Sequence, residues 1–295
     1  MTAEALVRVR ELTRVYRRPR QSLRRSAPTV AALKGVSFDI HRGERFGIVG
    51  ESGSGKSTLI RLLAGLDNAT SGSIVFDGQE ITGKSERQLG FLRRQLQFVF
   101  QDPMGSLDPR MRVRDIVAEP LVAQGHPNPT YRVSELLEAV GLSASVASRF
   151  PHQFSGGERQ RISIARALAP HPKVLVADEP VSSLDVSVRA QILNLLADLV
   201  DEFELTLIFV SHDLSVVRRV CESVAVLHHG DLVEHGPTEQ LYTDAQHAYT
   251  RRLIAAVPTI KGALSGIGAG QLAGGMVTAG IDPTDDPQEI SELKS

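Results

Sequence analysis

The sequence predicts an α/β domain with a mostly parallel sheet, and two observations support this prediction. Short apolar strand patterns alternate with helical patterns along much of the 295-residue chain, as is typical where helices connect parallel strands. The run VLVAD at 174–178 has four apolar positions in succession, which indicates a strand buried on both faces. We therefore expect a central sheet that is covered on both sides.

Strand and turn signals dominate the first hundred residues. In order, they predict strands at 6–16, 30–40 and 45–49, a glycine-rich turn at 50–56, a helix at 58–66 and a hairpin-like region from 73. The break at 17–29 has prolines near its ends, and eight arginines fall between Arg8 and Arg25. This segment is typical of a solvated surface loop, and contact with an anionic lipid or partner surface is the alternative.

The middle of the chain changes character before the α/β pattern resumes. Six prolines between Pro103 and Pro151 and helical patterns such as YRVSELLEAVGL predict a helical insertion at about 102–170. After it, the patterns predict a strand at 174–178, a helix at 186–203, a strand at 205–210, two short strands within 223–234 and a helix at 247–257. Seven of the nineteen residues at 262–280 are glycine, so we expect 259–295 to form a flexible, Gly-rich and acidic tail after a domain at 1–258.

Composition excludes several classes of protein. Lys plus Arg number 33 and Asp plus Glu number 34, and this balance argues against nucleic-acid binding through bulk positive charge. The one cysteine excludes an internal disulfide. The sequence has no run of about 18 apolar residues and no visible secretory signal. We expect an intracellular protein, and any membrane pore that it serves must come from another chain.

The strongest local motif is GESGSGKS, which matches the phosphate-binding pattern G-x-x-x-x-G-K-[ST] between a strand and a helix. Its glycines let the backbone approach phosphates, and the amides at the helix N-terminus attract the anion. Lys56 is predicted to contact the β- and γ-phosphates, and Ser57 to bind Mg²⁺. The predicted nucleotide contacts are Gly50, Glu51, Ser52, Gly53, Ser54, Gly55, Lys56, Ser57 and Thr58.

A second motif, VLVADEP at 174–180, places two acids at the end of the predicted central strand. Parallel sheets bind ligands at this edge, so we expect both carboxylates to face the phosphate site. Asp178 is predicted to hold Mg²⁺, and Glu179 to polarise the water that attacks the phosphate. Together, the two motifs indicate a P-loop NTPase that uses ATP and Mg²⁺.

A third motif, FSGGERQR at 154–161, is a further Ser-Gly-Gly turn that opens a helix and predicts a second anion site. With it, the chain resembles the nucleotide-binding subunits of ABC transporters, whose signature reads LSGGQ. Phe154 and Glu158 depart from that signature, and both leave the Ser-Gly-Gly turn intact. The residues predicted to contact nucleotide from this turn are Ser155, Gly156, Gly157 and Glu158.

The resemblance covers about 5–258 and implies roles for further residues. It implies that Gln101 senses the γ-phosphate and metal, that His212 contacts the γ-phosphate, and that Tyr16 stacks on the adenine. Asp185 belongs to the SSLD segment that crosses the dimer interface in the family, and the resemblance implies that it contacts nucleotide there. The implied fold is a RecA-like core with an antiparallel β-subdomain and a helical subdomain. The implied catalytic set is Glu179, His212, Gln101 and Lys56, and the implied metal ligands are Ser57, Gln101 and Asp178.

The resemblance also implies partners. Two such domains close head to tail around ATP, as a homo- or heterodimer, and drive permease subunits at the cytoplasmic face of the inner membrane. Stretches such as FQDPMGSLDPRM and QHAYTRRLIAAVP are similar to the importer branch for di- and oligopeptides and nickel, which works with an extracytoplasmic solute-binding protein. We expect Asp102–Pro109, with Met104 and Leu107, to border the permease cleft. An ABC exporter subunit, or a soluble ABC ATPase acting on nucleic acid or the ribosome, is the alternative.

Overall fold

Two sheets organise the part of the chain that the computed structural model describes, which is 5–17, 29–126 and 129–257. The strands are β1 Ala5–Arg17, β2 Thr29–His41, β3 Arg45–Val49, β4 Ser71–Phe76, β5 Gln79–Glu80, β6 Leu96–Val99, β7 Val174–Asp178, β8 Thr206–Ser211, β9 Ser223–His228 and β10 Asp231–Pro237. The predicted tail at 259–295 and nearly all of the arginine-rich break lie outside the described residues.

Ten α-helices accompany these strands in the described ranges. They are α1 Lys56–Leu63, α2 Gly90–Gln95, α3 Pro103–Ser106, α4 Val113–Ala123, α5 Thr130–Ala139, α6 Gly156–Leu168, α7 Val186–Glu202, α8 Leu214–Val220, α9 Thr238–Asp244 and α10 Ala248–Ala255. The helices α3 to α6 fall within the predicted insertion at 102–170. None of the described helices is long and apolar enough to cross a membrane.

The larger sheet has the strand order β10-β9-β3-β8-β7-β6, and all of its pairings are parallel except that between β9 and β10. Side chains of β7 alternate between two apolar cores, because successive residues of a strand point to opposite faces. Val174 and Val176 pack into one core, and Leu175 and Ala177 into the other. This burial on both faces explains the unbroken apolar run and confirms the predicted α/β class.

The smaller sheet is antiparallel, with the order β2-β1-β4-β5. Its apolar side chains, including Leu6, Val9 and Phe76, share one core with α1 and with one face of the larger sheet. The other face of the larger sheet forms the second core with the helices of the insertion and with α7 and α8. The larger sheet is therefore the middle layer, with one apolar core on each of its faces.

Candidate functional site

Four neighbouring strands of the larger sheet end at one site. The glycine-rich turn follows β3, His212 follows β8, Glu179 follows β7, and Gln101 lies two residues after β6. Ligands bind at the carboxyl ends of parallel strands, because loops and helix N-termini converge there. A cavity of about 900 Å³ opens at this edge, lined by Val30, Ala31, Ala32, Lys34, Glu51, Ser52, Gly53, Ser54, Gly55, Lys56, Ser57, Thr58, Gln101, Glu179, His212 and His229.

The glycine-rich turn, which we call the P-loop (50–57), requires glycine at two positions for different reasons. A Cβ at Gly50 would lie only 2.2 Å from the carbonyl oxygen of Leu227, so the loop passes too close to β9 for any side chain. Gly55 has a φ of 111°, and a Cβ there would lie 2.6 Å from the carbonyl oxygen of Ala32. The loop is therefore pressed against both neighbouring sheets as it enters α1.

Lys56 is the first residue of α1 and is only 7% exposed. Its Nζ donates to the carbonyl oxygens of Gly50 and Glu51 at 2.6 and 3.0 Å, which fixes the ammonium group inside the curve of the loop. Burial lowers its pKa, and the negative charges of Glu179 and Asp178 act in the opposite direction. A cation buried among backbone carbonyls, at a helix N-terminus, suits an anionic ligand.

Glu179 adopts a φ of 46°, a left-handed conformation that costs a non-glycine residue about 1 kcal/mol or more. Its amide donates to the carbonyl oxygen of Val210 at 2.9 Å, and its carbonyl oxygen accepts from the Ser182 hydroxyl at 3.1 Å. Its Oε2 lies 3.1 Å from Nδ1 of His212. These contacts hold the backbone in its strained form and fix the carboxylate at the wall of the cavity.

The carboxyl group of Asp178 provides a test of whether a divalent cation fits here. Burial raises its pKa, the negative charge of Glu179 raises it further, and Lys56 acts in the opposite direction. Two adjacent carboxylates thus crowd one strand end. Glu179 lines the cavity with the hydroxyl of Ser57 and the amide of Gln101, whereas Asp178 is not among the described lining residues and interacts with Lys56 through its charge. Mg²⁺ prefers hard oxygen ligands of these kinds, so the residues present fit that ion.

Tyr16 is held by its neighbours rather than by the cavity wall. Its hydroxyl donates to Oδ2 of Asp67 at 2.7 Å, and the Arg14 guanidinium lies 4.5 Å from its ring centroid. Arg14 also donates two hydrogen bonds to Asp67. Among the described residues, Tyr16 is not one of those that line the cavity, so its stacking on adenine stays a prediction.

Several cavity-lining residues were not identified from the sequence. Val30, Ala31 and Ala32 belong to β2 of the smaller sheet, and His229 lies in the turn between β9 and β10. No motif marks these side chains, because they reach the cavity only through the packing of the two sheets. The nearest signal in the sequence is the glycine at positions 50 and 55. In the structure, these glycines allow the P-loop to approach Leu227 and Ala32 closely.

The second glycine turn, the signature turn (154–158), lies at the start of α6. Ser155 caps this helix: its Oγ accepts from the Glu158 amide at 3.3 Å and donates to Glu158 Oε2 at 2.8 Å, while the Ser155 amide donates to the same carboxylate. These hydrogen bonds from Ser155 lower the pKa of the Glu158 carboxyl group. Phe154 is buried, which suits an apolar first residue, while Ser155 and Gly156 are exposed.

The signature turn adjoins the start of α7. A Cβ at Gly157 would lie 2.6 Å from the Val188 side chain, and one at Gly156 would touch Leu184. Asp185 is exposed at the N-cap of α7, and the next side chain, Val186, is 81% exposed. The structure therefore brings Ser155, Gly156, Gly157, Glu158 and Asp185 together on a second face, and among described residues none of them lines the cavity.

Comparisons with known proteins agree with the predicted resemblance. A family model described as ABC transporter matches residues 33–182. The chain is 50% identical over 259 residues to the oligopeptide transport ATP-binding protein OppD of Mycobacterium tuberculosis, which covers 87% of this chain and 42% of that protein. It is 50% identical over 260 residues to the glutathione import ATP-binding protein GsiA of Escherichia coli, covering 86% and 41%. The chain thus spans about two fifths of the length of these curated relatives.

Solved structures agree in fold. The dimeric, post-hydrolysis structure of the ATP-binding cassette MJ0796 bound to ADP and Pi matches with a TM-score of 0.69 and 31% identity, over 79% of this chain and 98% of that one. The structure of cbiO1 from Clostridium perfringens, part of the ABC transporter complex cbiONQ, matches with a TM-score of 0.71 and 28% identity, over 88% and 99%. The predicted cassette fold is thereby confirmed, and the chain belongs to the ABC transporter family.

Proposed function

We propose that this chain is the ATP-hydrolysing subunit of an ABC importer. The observation that carries the proposal is the convergence of four strand ends on one cavity, where the buried Lys56 faces the pair formed by Glu179 and His212. A cavity of about 900 Å³ has room for a nucleotide. The domain at 1–258, which includes the helical subdomain at about 102–170, would perform this work. The tail at 259–295 would not belong to this domain.

In this proposal the P-loop binds the phosphates of ATP. The backbone amides of Gly53 to Ser57 would bind the α- and β-phosphates, and Lys56 would balance the charge of the β- and γ-phosphates. Ser57, Gln101 and Asp178 would hold Mg²⁺, which neutralises phosphate charge when it is bound. Glu51, Ser52, Ser54 and Thr58 complete the wall. Tyr16, which is not among the described lining residues, would contact the base from beyond this wall.

Glu179 supplies the base for hydrolysis. Its carboxylate takes a proton from a water as the water oxygen bonds to the γ-phosphorus, and the bond from that phosphorus to the bridging oxygen breaks. ADP leaves with the electron pair of that bond. His212, 3.1 Å from the carboxylate, keeps Glu179 oriented towards the water and contacts the γ-phosphate.

The signature turn supports a dimer. Ser155 and Gly156 are exposed on a face away from the cavity lining, next to Asp185 and the strongly exposed Val186. A helix N-terminus of this kind can bind an anion, and in a dimer it could contact the γ-phosphate of ATP bound by the second subunit. We propose that two such subunits, identical or different, close head to tail around ATP and separate after hydrolysis.

A small apolar groove supports a permease partner. Leu66 and Phe100 are 54% and 39% exposed, and with the stacked ring of Phe98 they line a cavity of about 190 Å³. A short helix of a membrane-spanning subunit would fit here. Leu107, which we expected to border this cleft, is instead buried, because it packs into the core of the helical insertion. The side chain of Met104 lies outside the described residues.

Relatives support the solute class and location. OppD and GsiA are named for the transport of oligopeptides and of glutathione, so we propose di- and oligopeptides, or a related small solute, as the cargo. The chain would act at the cytoplasmic face of the cell membrane, together with permease subunits and, indirectly, a solute-binding protein. The match to two importers of this branch favours import over export.

Replacing Glu179 tests the proposal. Glu179→Gln should lower ATP turnover about 100-fold or more, because a general base contributes at least this much, while ATP binding persists. Dimers should accumulate with ATP in this variant, since the γ-phosphate is not removed. Turnover is measured by phosphate release and the dimer by size-exclusion chromatography.

Glu204→Gln is the matched control, because Glu204 has a similar φ of 51° but is exposed on the turn before β8. It should retain normal turnover. Turnover by Glu179→Gln at the rate of the unsubstituted chain would remove Glu179 from its proposed role. Uptake of labelled peptides, glutathione and nickel by cells that carry either variant would then identify the solute.

A further inference from the structure

A tyrosine from the last described helix reaches the P-loop. Tyr249, in the first turn of α10, is 2% exposed, and its hydroxyl oxygen accepts a hydrogen bond from the Glu51 amide at 3.0 Å. The two residues are 198 positions apart in sequence. The bond therefore ties the first turn of the P-loop to the C-terminal end of the described chain.

The position of Tyr249 is fixed by the start of its own helix. Glu234 on β10 accepts hydrogen bonds from the amides of Gln246 and His247 at 2.7 and 3.1 Å. His247 then caps α10, with Nδ1 accepting from the Tyr249 amide at 3.2 Å. The phenol is thus held by β10 of the larger sheet and not by the loop that it contacts.

The last residue of β9 and the turn that follows it contact both Tyr249 and the P-loop. The ring of His228 stacks on that of Tyr249 with centroids 3.9 Å apart. Two residues later, the Gly230 amide donates to the carbonyl oxygen of Ser54 at 2.9 Å. Two hydrogen bonds from outside the phosphate-binding motif therefore hold the P-loop. Tyr249 bonds to Glu51, and Gly230 bonds to Ser54.

We propose that Tyr249 is a positioning residue for the P-loop, which sets the affinity for nucleotide by holding the loop in its binding conformation. The Lys56 ammonium bonds to the carbonyl of the same Glu51 whose amide Tyr249 anchors, so movement of this peptide segment displaces the cation. A loop that is held before binding loses less conformational freedom when the ligand binds. This inference rests on the proposed nucleotide-binding function of the cavity.

Tyr249→Phe removes the acceptor and keeps the ring. In the full chain, the Kd for ATP with Mg²⁺ should rise about 2- to 10-fold, the range for one lost hydrogen bond. Turnover at saturating ATP should change by about twofold or less, because bound nucleotide restores the loop. Amide hydrogen exchange of the peptide that contains Glu51 should be faster without nucleotide.

Tyr242→Phe is the matched control, because the Tyr242 hydroxyl donates to the Leu214 carbonyl oxygen at 2.5 Å, a backbone bond with no P-loop residue. It should alter the melting temperature but neither the Kd for ATP nor the exchange of Glu51. An unchanged Kd and unchanged exchange in Tyr249→Phe would overturn the proposal, as would an equal loss of affinity in Tyr242→Phe.

Two further measurements keep the test decisive. If Tyr249→Phe does not fold, binding of ATP to the unsubstituted chain should still slow amide exchange in 248–255, since coupling is reciprocal, and unchanged exchange there would refute the link. If the unsubstituted chain binds no ATP, the proposed function fails. The exchange of Glu51 in Tyr249→Phe then decides separately whether Tyr249 holds the loop.

Discussion

The P-loop and the signature turn are both glycine-rich turns that open a helix, yet the structure treats them differently. The P-loop curls around the buried Lys56, whose ammonium group bonds to the loop's own carbonyls. The signature turn is exposed, and its Ser155 and Glu158 bond to each other. The first turn thus forms part of the wall of a cavity within the chain, whereas the second is a capped helix N-terminus that is exposed and, among the described residues, lines no part of that cavity.

Among the substitutions that test this difference between the two turns, removal of the buried Lys56 ammonium should have the largest effect on ATP binding. Lys56→Ala should weaken ATP binding by the isolated chain roughly 10- to 100-fold, the range for one charge-assisted hydrogen bond at a helix N-terminus. The measurement is an equilibrium titration with ATP at a chain concentration too low for association. We expect the cavity to lose its main attraction for phosphate.

Lys34→Ala is the control, because Lys34 also lines the cavity but pairs with Asp231 at 2.9 Å and is largely exposed. Its affinity for ATP should stay close to that of the unsubstituted chain. Equal losses in both variants would mean that the cavity attracts nucleotide through general charge. The two turns would then differ in how deeply they are buried, but Lys56 would have no special role in binding phosphate.

A substitution in the second turn should have the opposite pattern. Ser155→Ala should leave ATP binding by the isolated chain unchanged but reduce ATP-dependent dimers and turnover about tenfold, because it removes the hydroxyl that we propose contacts the γ-phosphate bound by the partner. It should also destabilise the fold by about 1 kcal/mol through loss of the cap. Dimers are measured in the Glu179→Gln background, where hydrolysis does not dissolve them.

Ser143→Ala separates these two effects. Ser143 caps a short 3-10 turn at Ala144–Ser148, where its Oγ accepts from the Ser145 amide at 3.3 Å, away from the signature turn. It should lose stability without losing dimers. If Ser155→Ala forms dimers as readily as Ser143→Ala, the signature turn is only a helix cap.

The same comparison shows what the sequence can predict. The P-loop, β7 and α7 lie within two residues of the predicted positions, because local signals determine them: glycine spacing, an apolar run and a regular helical period. The helix α4 was not predicted as a separate element, because Pro120 lies inside it. The short helices α8 and α9 were also missed, since seven residues carry little periodic signal.

Long-range contacts account for the rest of the site. Val30 and Ala32 reach the cavity from the other sheet, and Tyr249 reaches Glu51 from the far end of the chain. The left-handed backbone of Glu179 likewise depends on hydrogen bonds with Val210 and Ser182. Local patterns therefore predicted which motif residues would meet at the cavity, but the residues that hold those motifs in place could be found only in the folded chain.

The smallest predicted effect concerns the charge of Glu158. Hydrogen bonds from Ser155 lower the pKa of its carboxyl group in the folded chain, so the ionised form stabilises the fold. With a folded pKa below the unfolded value, this contribution is complete above the unfolded pKa and is lost as the pH falls through the folded pKa. Glu158→Gln keeps an oxygen acceptor but not the charge. It should reduce the free energy of unfolding at neutral pH by a few tenths of a kcal/mol, because the hydrogen-bonded Ser155 and Glu158 side chains are largely solvated.

The pH dependence distinguishes the charge from the acceptor. The difference in melting temperature between the unsubstituted chain and Glu158→Gln should be constant from about pH 6 to 8 and shrink below about pH 4.5, where the carboxyl group gains its proton. Ser155→Ala should reduce but not abolish this pH dependence, because the hydroxyl donor is lost while the backbone amide of residue 155, which lowers the pKa of Glu158 the most, is kept. A difference that stays constant down to pH 3 would show that the signature turn is stabilised by the geometry of its cap and not by its charge.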